Sequence, residues 1–201
     1  INLMGSTLLQ SVTGNISNNI VAKLFNFNLA GIYVQSAKLQ SIPTSLVQSI
    51  LDKTFFPVFS KLNTDLILFN SQACQMSRMA YALCFPLISM IICFARPIIL
   101  IVLGRQWVDC IWTFQILMFA SYPLLVKNVN RNTLKSLGYT KNILMMEIYP
   151  FVLLAGCIVI SIYVNSYLML VFSFVLSNLL SSILSLYYVS KCSKQKISIL
   201  I

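Results

Sequence analysis

An unbroken run of 43 uncharged residues, from Ile148 to Ser190, is the feature that most constrains the fold of this chain. A helix that crosses the hydrocarbon core of a bilayer needs about 20 mostly apolar residues. The run is long enough for two such helices, and Val164, Asn165 and Ser166 near its middle supply a turn. The sequence therefore predicts a helical hairpin in a membrane.

The composition excludes a soluble enzyme or a nucleic-acid binder as the first interpretation. Of the 201 residues, 58% are hydrophobic and 9% are charged, whereas a soluble domain carries about 25% charged residues. Histidine is absent, and the four acidic residues leave little for acid–base catalysis or metal binding. The six cysteines form no CxxC pair. We therefore expect no metal, no cofactor and no nucleic-acid partner.

Six membrane spans are predicted from the stretches with few or no charges. They cover approximately residues 1–22, 29–52, 79–102, 109–127, 143–164 and 167–190. The first two are more polar than the others, and the segment 53–78 between spans is predicted to be an interfacial connection with aromatic residues at headgroup level. Because the first residue is Ile1, we expect a fragment of a longer membrane protein.

The basic residues give an independent prediction of topology. With six spans, 10 of the 14 Lys and Arg residues fall on one side of the membrane. Positive residues mark the cytoplasmic side. The net charge of +10 therefore reflects topology, and the C-terminus is predicted to be cytoplasmic.

A polar stripe runs along the second predicted helix. At 100° per residue its members fall within an arc of about 80°, and Gln35 lies roughly 60° beyond that arc. The members are Lys38, Ser41, Ser45, Gln48 and Asp52. A lysine near the middle of a bilayer costs about 2.5–3.5 kcal/mol, so the stripe must face water or protein. The first helix adds amides that include Asn15 and Asn18. We interpret both helices as one wall of a hydrated substrate path.

Lys38 and a further candidate residue, Glu147, have simpler alternatives. Lys38 either contributes to the substrate path or extends to an interface or to an acid on another helix. Glu147, about one turn into the fifth helix, is either functional or pairs structurally with Lys141 or another cytoplasmic base.

No catalytic motif is present. The chain has no G-x-S-x-G, no phosphate-binding glycine loop and no H-E-x-x-H. We therefore predict that the protein is not an enzyme and that this chain does not hydrolyse ATP.

An ordered set of short motifs resembles the bacterial polysaccharide repeat-unit flippases of the O-antigen type. The motifs are Gly31-Ile32-Tyr33 with Ala37 and Pro43, then Phe56-Pro57-Val58-Phe59-Ser60-Lys61-Leu62, Pro97 to Gly104 with Trp107, Phe114-Gln115-Ile116-Leu117, and Leu137-Gly138-Tyr139-Thr140. The resemblance covers essentially the whole chain. The family is part of the multidrug/oligosaccharidyl-lipid/polysaccharide exporter superfamily.

The resemblance implies an all-α integral membrane protein of the bacterial inner membrane. This chain would be the second, C-terminal six-helix lobe of a twelve-helix MATE-like transporter, and its missing partner would be the N-terminal lobe. The family moves oligosaccharide units linked to undecaprenyl diphosphate from the cytoplasmic to the periplasmic leaflet. The implied partners are that lipid-linked oligosaccharide and membrane lipid, and Lys38 would suit the diphosphate.

Three other interpretations stay open at this stage. A drug/cation antiporter of the same superfamily would need an intramembrane acid, and this lobe offers Glu147. An integral-membrane polymerase or acyltransferase usually carries a long outer loop, which is not predicted here. The chain could also be a non-functional fragment of a flippase.

Overall fold

The computed structural model describes residues 4–6, 27–61, 66–164 and 166–193, and all regular structure in these ranges is helical. After a helical segment at residues 4–6, the elements are α1 (Phe27–Lys61), α2 (Leu66–Cys93), α3 (Ala95–Val102), a 3-10 turn (Arg105–Trp107), α4 (Cys110–Phe119), α5 (Ser121–Ser136), α6 (Thr140–Val164) and α7 (Tyr167–Ser193).

Four helical stretches within the described ranges are long and apolar enough to cross a membrane. They are Phe69–Cys93 in α2, Cys110–Ser136 in α4 and α5 together, Thr140–Ser161 in α6 and Tyr167–Cys192 in α7. The longer helix α1 is not among them, because the polar residues spread along it lower its hydropathy. The described part of the chain is thus all-helical, and the protein is a multi-pass membrane protein.

The predicted spans and the observed helices agree best at the C-terminal end. Helices α6 and α7 contain the predicted spans 143–164 and 167–190, and α1 contains 29–52. The predicted span 109–127 is extended by nine residues, since α5 ends at Ser136. The predicted span 79–102 is divided between α2 and α3. The span 1–22 lies outside the described residues, apart from residues 4–6.

The described parts of the segment 53–78, predicted to be an interfacial connection, continue the two flanking helices. Helix α1 continues to Lys61, and α2 already begins at Leu66. The predicted spans end before Lys53 and begin after Arg78, because both residues are charged. In the structure Leu51 near the end of α1 packs with Phe69 and Ala73 near the start of α2, and this apolar contact favours continuous helix through both charged positions.

Pro97 accounts for the break between α2 and α3. A proline cannot donate a hydrogen bond to the carbonyl four residues earlier, and its ring clashes with that carbonyl. That residue is Cys93, at which α2 ends. Pro97 then lies in the first turn of α3, where no intrahelical donor is needed. Gly104, with a φ of 89°, turns the chain toward α4.

The hydrogen bonds between helices define the topology. Helices α1 and α5 are parallel, because Gln40, Gln48 and Asp52 bond in ascending order to Ser121, Asn128 and Asn132. Helix α7 runs the same way, since Thr113 bonds Tyr167 and Asn130 bonds Ser185. Helices α2 and α6 run the opposite way. Helices α4 and α5 together form the centre, in contact with α1, α2, α6 and α7.

One end of this bundle, here called the basic side, is where α1, α5 and α7 end and α2 and α6 begin. Lys53, Lys135, Lys141 and Lys191 lie in the helical turns nearest this end. The connection from α5 to α6 is a Schellman turn: the Tyr139 N–H donates to the Leu134 carbonyl at 3.0 Å, and Gly138 has a φ of 79°. The opposite side carries α3 and the 3-10 turn.

Serines at every fourth position hold α7 close to α6. Ser173, Ser177, Ser181 and Ser185 are all buried, and small residues at this spacing let membrane helices approach closely. Pro150 in α6 lacks the N–H that would bond the Met146 carbonyl. The Ser181 hydroxyl of α7 donates to that carbonyl at 3.3 Å, and Ser177 donates to the Pro150 carbonyl at 3.0 Å. A neighbouring helix therefore supplies the donor that the proline removes.

Candidate functional site

Helix α5 is the most polar element of the bundle, although it lies at the centre. Its buried polar residues are Ser121, Lys127, Asn128, Asn130, Asn132, Thr133 and Ser136. A polar group away from water is costly unless it has a hydrogen-bond partner. The neighbouring helices supply these partners, and α5 thereby fixes their relative positions.

Three side-chain hydrogen bonds form a ladder between α1 and α5. The Gln40 Nε2 donates to Ser121 Oγ at 3.0 Å. The Asn128 Nδ2 donates to Gln48 Oε1 at 3.0 Å, and the Asn132 Nδ2 donates to Asp52 Oδ1 at 2.8 Å. The last two contacts use members of the predicted stripe. The ladder therefore ties the inner edge of the stripe to the central helix.

A buried ion pair joins α5 to α6. The Lys127 Nζ lies 2.8 Å from Glu147 Oε2, and the two side chains are 8% and 7% exposed. Lys127 is nine positions and Glu147 seven positions from the helix ends on the basic side, which is about 10–14 Å at 1.5 Å per residue. The pair thus lies within the membrane-crossing part of the bundle, and Lys127 is the base that meets Glu147.

The predicted stripe lies on the outer surface of the bundle. Lys38, Ser41 and Ser45 are exposed, and Gln35 and Gln48 are half-buried. The hydroxyls of Ser41 and Ser45 bond back to carbonyls of their own helix at 2.7 and 2.9 Å. Asn15 and Asn18 lie outside the described residues.

The exposed half of α1 is divided lengthwise into two surfaces. One carries the polar stripe, and the other carries the exposed residues Ile42, Leu46 and Ile50. An apolar surface suits lipid, whereas Lys38 and the hydroxyls beside it do not. The stripe therefore needs water or another protein surface against it, and α1 marks the boundary between the two environments.

The contribution of α5 is not predicted from hydropathy. The polar run Lys127-Asn128-Val129-Asn130-Arg131-Asn132 lies at the end of the predicted span 109–127, where its polarity indicates a basic loop. The spacing carries a signal that hydropathy does not use. Asn128 and Asn132 are four residues apart and face α1, and Val129 between them is fully buried among apolar residues that include Phe69 and Leu125.

Metal-ligating residues do not cluster in the part of the chain that the structure describes. No group of three His, Cys, Asp or Glu side chains there could hold an ion. The chemistry that this arrangement supports is binding by amides, hydroxyls and one exposed ammonium group on a helix surface.

A family model described as polysaccharide biosynthesis protein matches residues 1–112. The match covers more than half of the 201 residues, and the chain therefore belongs to this family of polysaccharide biosynthesis proteins. The family and the four apolar helices together indicate a multi-pass membrane protein of polysaccharide biosynthesis.

One curated relative is the teichuronic acid biosynthesis protein TuaB of Bacillus subtilis (strain 168), to which this chain is 21% identical over 135 residues. The similar region covers 67% of this chain and 28% of TuaB. The chain thus spans less than a third of the length of this relative. No solved structure matches.

Proposed function

We propose that the protein translocates oligosaccharide repeat units linked to undecaprenyl diphosphate across the bacterial inner membrane, as a flippase for surface polysaccharide of the O-antigen type. The proposal is supported by the family of polysaccharide biosynthesis proteins and by the resemblance of the motifs to repeat-unit flippases. In this proposal the chain is not an enzyme, because it moves a lipid-linked sugar without changing its bonds.

The observation that carries the proposal is the outward-facing polar stripe of α1. Its four exposed members, Lys38, Ser41, Ser45 and Asp52, lie on a helix that packs among membrane-crossing helices. We infer that a second, N-terminal six-helix lobe faces this surface in a twelve-helix MATE-like transporter. The space between the lobes would be the hydrated path for the sugar, and the apolar surface beside it would face lipid.

The charges suit this substrate. A diphosphate needs cationic or hydrogen-bonding partners once it leaves the headgroup region. Lys38 would supply a cation, and the hydroxyls of Ser41 and Ser45 and the amides of Gln35 and Gln48 would bond to sugar. The partners in this proposal are the lipid-linked oligosaccharide, membrane lipid and the N-terminal lobe, and no nucleic acid.

The drug/cation antiporter has less support. It would depend on an intramembrane acid that can exchange a proton or a cation. Glu147, the acid that this alternative would use, is already neutralised by Lys127 at 2.8 Å. The polar stripe also presents an ammonium group, which would repel an organic cation.

The test is Lys38→Ala in the full-length protein, expressed in a strain that lacks its own copy. A charge-assisted hydrogen bond to phosphate contributes about 1.5–3 kcal/mol, so we expect surface polysaccharide to fall roughly ten-fold or more. Lys38→Arg should restore most of it. Surface polysaccharide is measured by gel electrophoresis and staining, and membrane insertion by immunoblot.

The matched control is Lys53→Ala, which removes another exposed lysine of the same helix outside the stripe. It should leave surface polysaccharide unchanged. Equal polysaccharide in both variants would contradict a role for Lys38 in the substrate path and would leave it as a lysine that extends to an interface.

A further inference from the structure

A cleft opens between α2 and α7, with α5 at its floor. It has a volume of about 590 Å³. Its lining includes Arg78, Phe85 and Pro86 from α2, Val126 from α5, and Ser182 and Leu186 from α7. One cationic side chain therefore meets a surface that is otherwise mainly apolar.

Arg78 has no ion pair or hydrogen bond with any residue that the structure describes, and it is exposed. It lies inside the candidate span Phe69–Cys93. The 15 residues from Met79 to Cys93 separate it from the opposite end of α2, which is about 22 Å of helix. Its guanidinium is therefore on the basic half of the bilayer, within reach of the headgroups on the basic side.

None of the acidic residues that the structure describes pairs with Arg78. Asp52 bonds Asn132 on α5, and Glu147 pairs with Lys127. Asp109 precedes α4 on the opposite side of the bundle. Asp65 lies outside the described residues. The positive charge of Arg78 therefore favours an anion from the surrounding membrane or solvent as its partner.

The wall of the cleft beside Arg78 is preformed. Tyr81 is 8% exposed and stacks on Phe85, with ring centroids 5.5 Å apart. Phe85 in turn meets the edge of Tyr122 on α5, at 5.2 Å. Rigid aromatic contacts keep the cleft open, and Phe85, Pro86 and Leu186 offer an apolar surface toward the bilayer centre.

This cleft is distinct from the polar stripe. Val126 lines the cleft, whereas Asn128 bonds Gln48 of α1. Two residues along a helix correspond to a rotation of about 200°. The cleft and the stripe are therefore on opposite sides of the central helix, and a molecule in one does not contact the other.

We propose that the cleft between α2 and α7 binds one anionic phospholipid from the surrounding leaflet. The phosphate contacts the Arg78 guanidinium, and an acyl chain lies along Phe85, Pro86 and Leu186. Such a lipid joins two helices that leave a gap between them, and it does so on the side of the lobe away from the proposed sugar path.

The test is native mass spectrometry of the purified full-length protein with phosphatidylglycerol or with zwitterionic phosphatidylethanolamine. The unmodified protein should retain more phosphatidylglycerol than phosphatidylethanolamine. Arg78→Gln should weaken retention of phosphatidylglycerol roughly five-fold, the effect of one basic residue near an anionic lipid surface. The control Arg105→Gln removes an exposed arginine on the opposite side of the bundle and should change nothing.

A second variant tests the cleft without altering its charge. Ala82→Trp places a bulky ring in the lining from an exposed helical position, so the fold should tolerate it. It should also release phosphatidylglycerol. Equal retention of both lipids would overturn the proposal, because the charge of Arg78 would then not select the lipid. Retention unaffected by Ala82→Trp would also overturn it, because Arg78 would then attract lipid only as a surface charge. Neither outcome bears on the polysaccharide measured for Lys38→Ala.

Discussion

The ion pair between Lys127 and Glu147 shows how a charged side chain is accommodated inside this bundle. Each ion is less than a tenth exposed, and each has the other at hydrogen-bond distance. Removing a charge from water costs several kcal/mol, which a close partner offsets only when both are present. The stability of the contact between α5 and α6 therefore depends on both members of this pair being present.

Glu147→Gln should destabilise the protein strongly, because Lys127 would keep a buried charge without a counter-ion. The expected loss is about 3–5 kcal/mol of unfolding free energy. The double variant Lys127→Met with Glu147→Leu leaves no charge and should recover most of the loss. Thermal unfolding of the purified protein, followed by circular dichroism, measures both. A stable Glu147→Gln protein that no longer supports polysaccharide synthesis would instead assign Glu147 a direct role in transport.

Among the elements, the α6–α7 hairpin has the most specific packing. Pro150 leaves the Met146 carbonyl without its helical donor, and Ser181 supplies a hydroxyl from the next helix. The two residues are 31 positions apart in sequence, yet they act on one carbonyl. Their effects on stability should therefore be coupled.

Ser181→Ala should cost about 1 kcal/mol of unfolding free energy, because the Met146 carbonyl loses the donor from α7. In a Pro150→Ala background this cost should largely vanish, since residue 150 then has an N–H for the same carbonyl. Ser173→Ala is the matched control, because that hydroxyl bonds Leu170 in its own helix. A double-mutant cycle of unfolding in detergent gives the coupling, and an equal cost in both backgrounds would refute it.

At the scale of the whole molecule, parallel and antiparallel contacts place the basic residues asymmetrically. Lys135, Lys141 and Lys191 lie near one end, while Arg96 and Arg105 lie near the other. Positive residues favour the cytoplasm. We therefore expect the basic side, and with it the C-terminus, to be cytoplasmic.

Alkaline phosphatase, which is active only in the periplasm, gives the orientation directly. Fusions of the full-length protein truncated after Gly104 should be active, and fusions after Gly138 or after Ser193 should be inactive. Green fluorescent protein at the same points is the control, because it should show the reverse pattern. Phosphatase activity after Ser193 would invert the proposed topology.

The sequence predicted the hairpin α6–α7 to within three residues at each end. A long uncharged run can form few structures other than membrane-crossing helices. It misplaced the end of α5 and the connection between α1 and α2, since single-residue hydropathy counts Asn128, Arg131 and Lys53 as polar wherever they lie. The free-energy cost of burying such a residue depends on its partners. Asn128, for example, bonds Gln48, which is close to it only in the folded protein. The stripe of α1 was predictable from helical periodicity, whereas the ladder to α5 was not.

The proline of α6 also bears on how the protein is made. Helix α6 is synthesised before α7, and until α7 arrives the Met146 carbonyl has no hydroxyl from Ser181. The unpaired carbonyl makes α6 costly to release into lipid alone. The two helices are therefore expected to leave the translocon together, with the short turn at Ser166 bringing them into register as soon as the ribosome has completed the second.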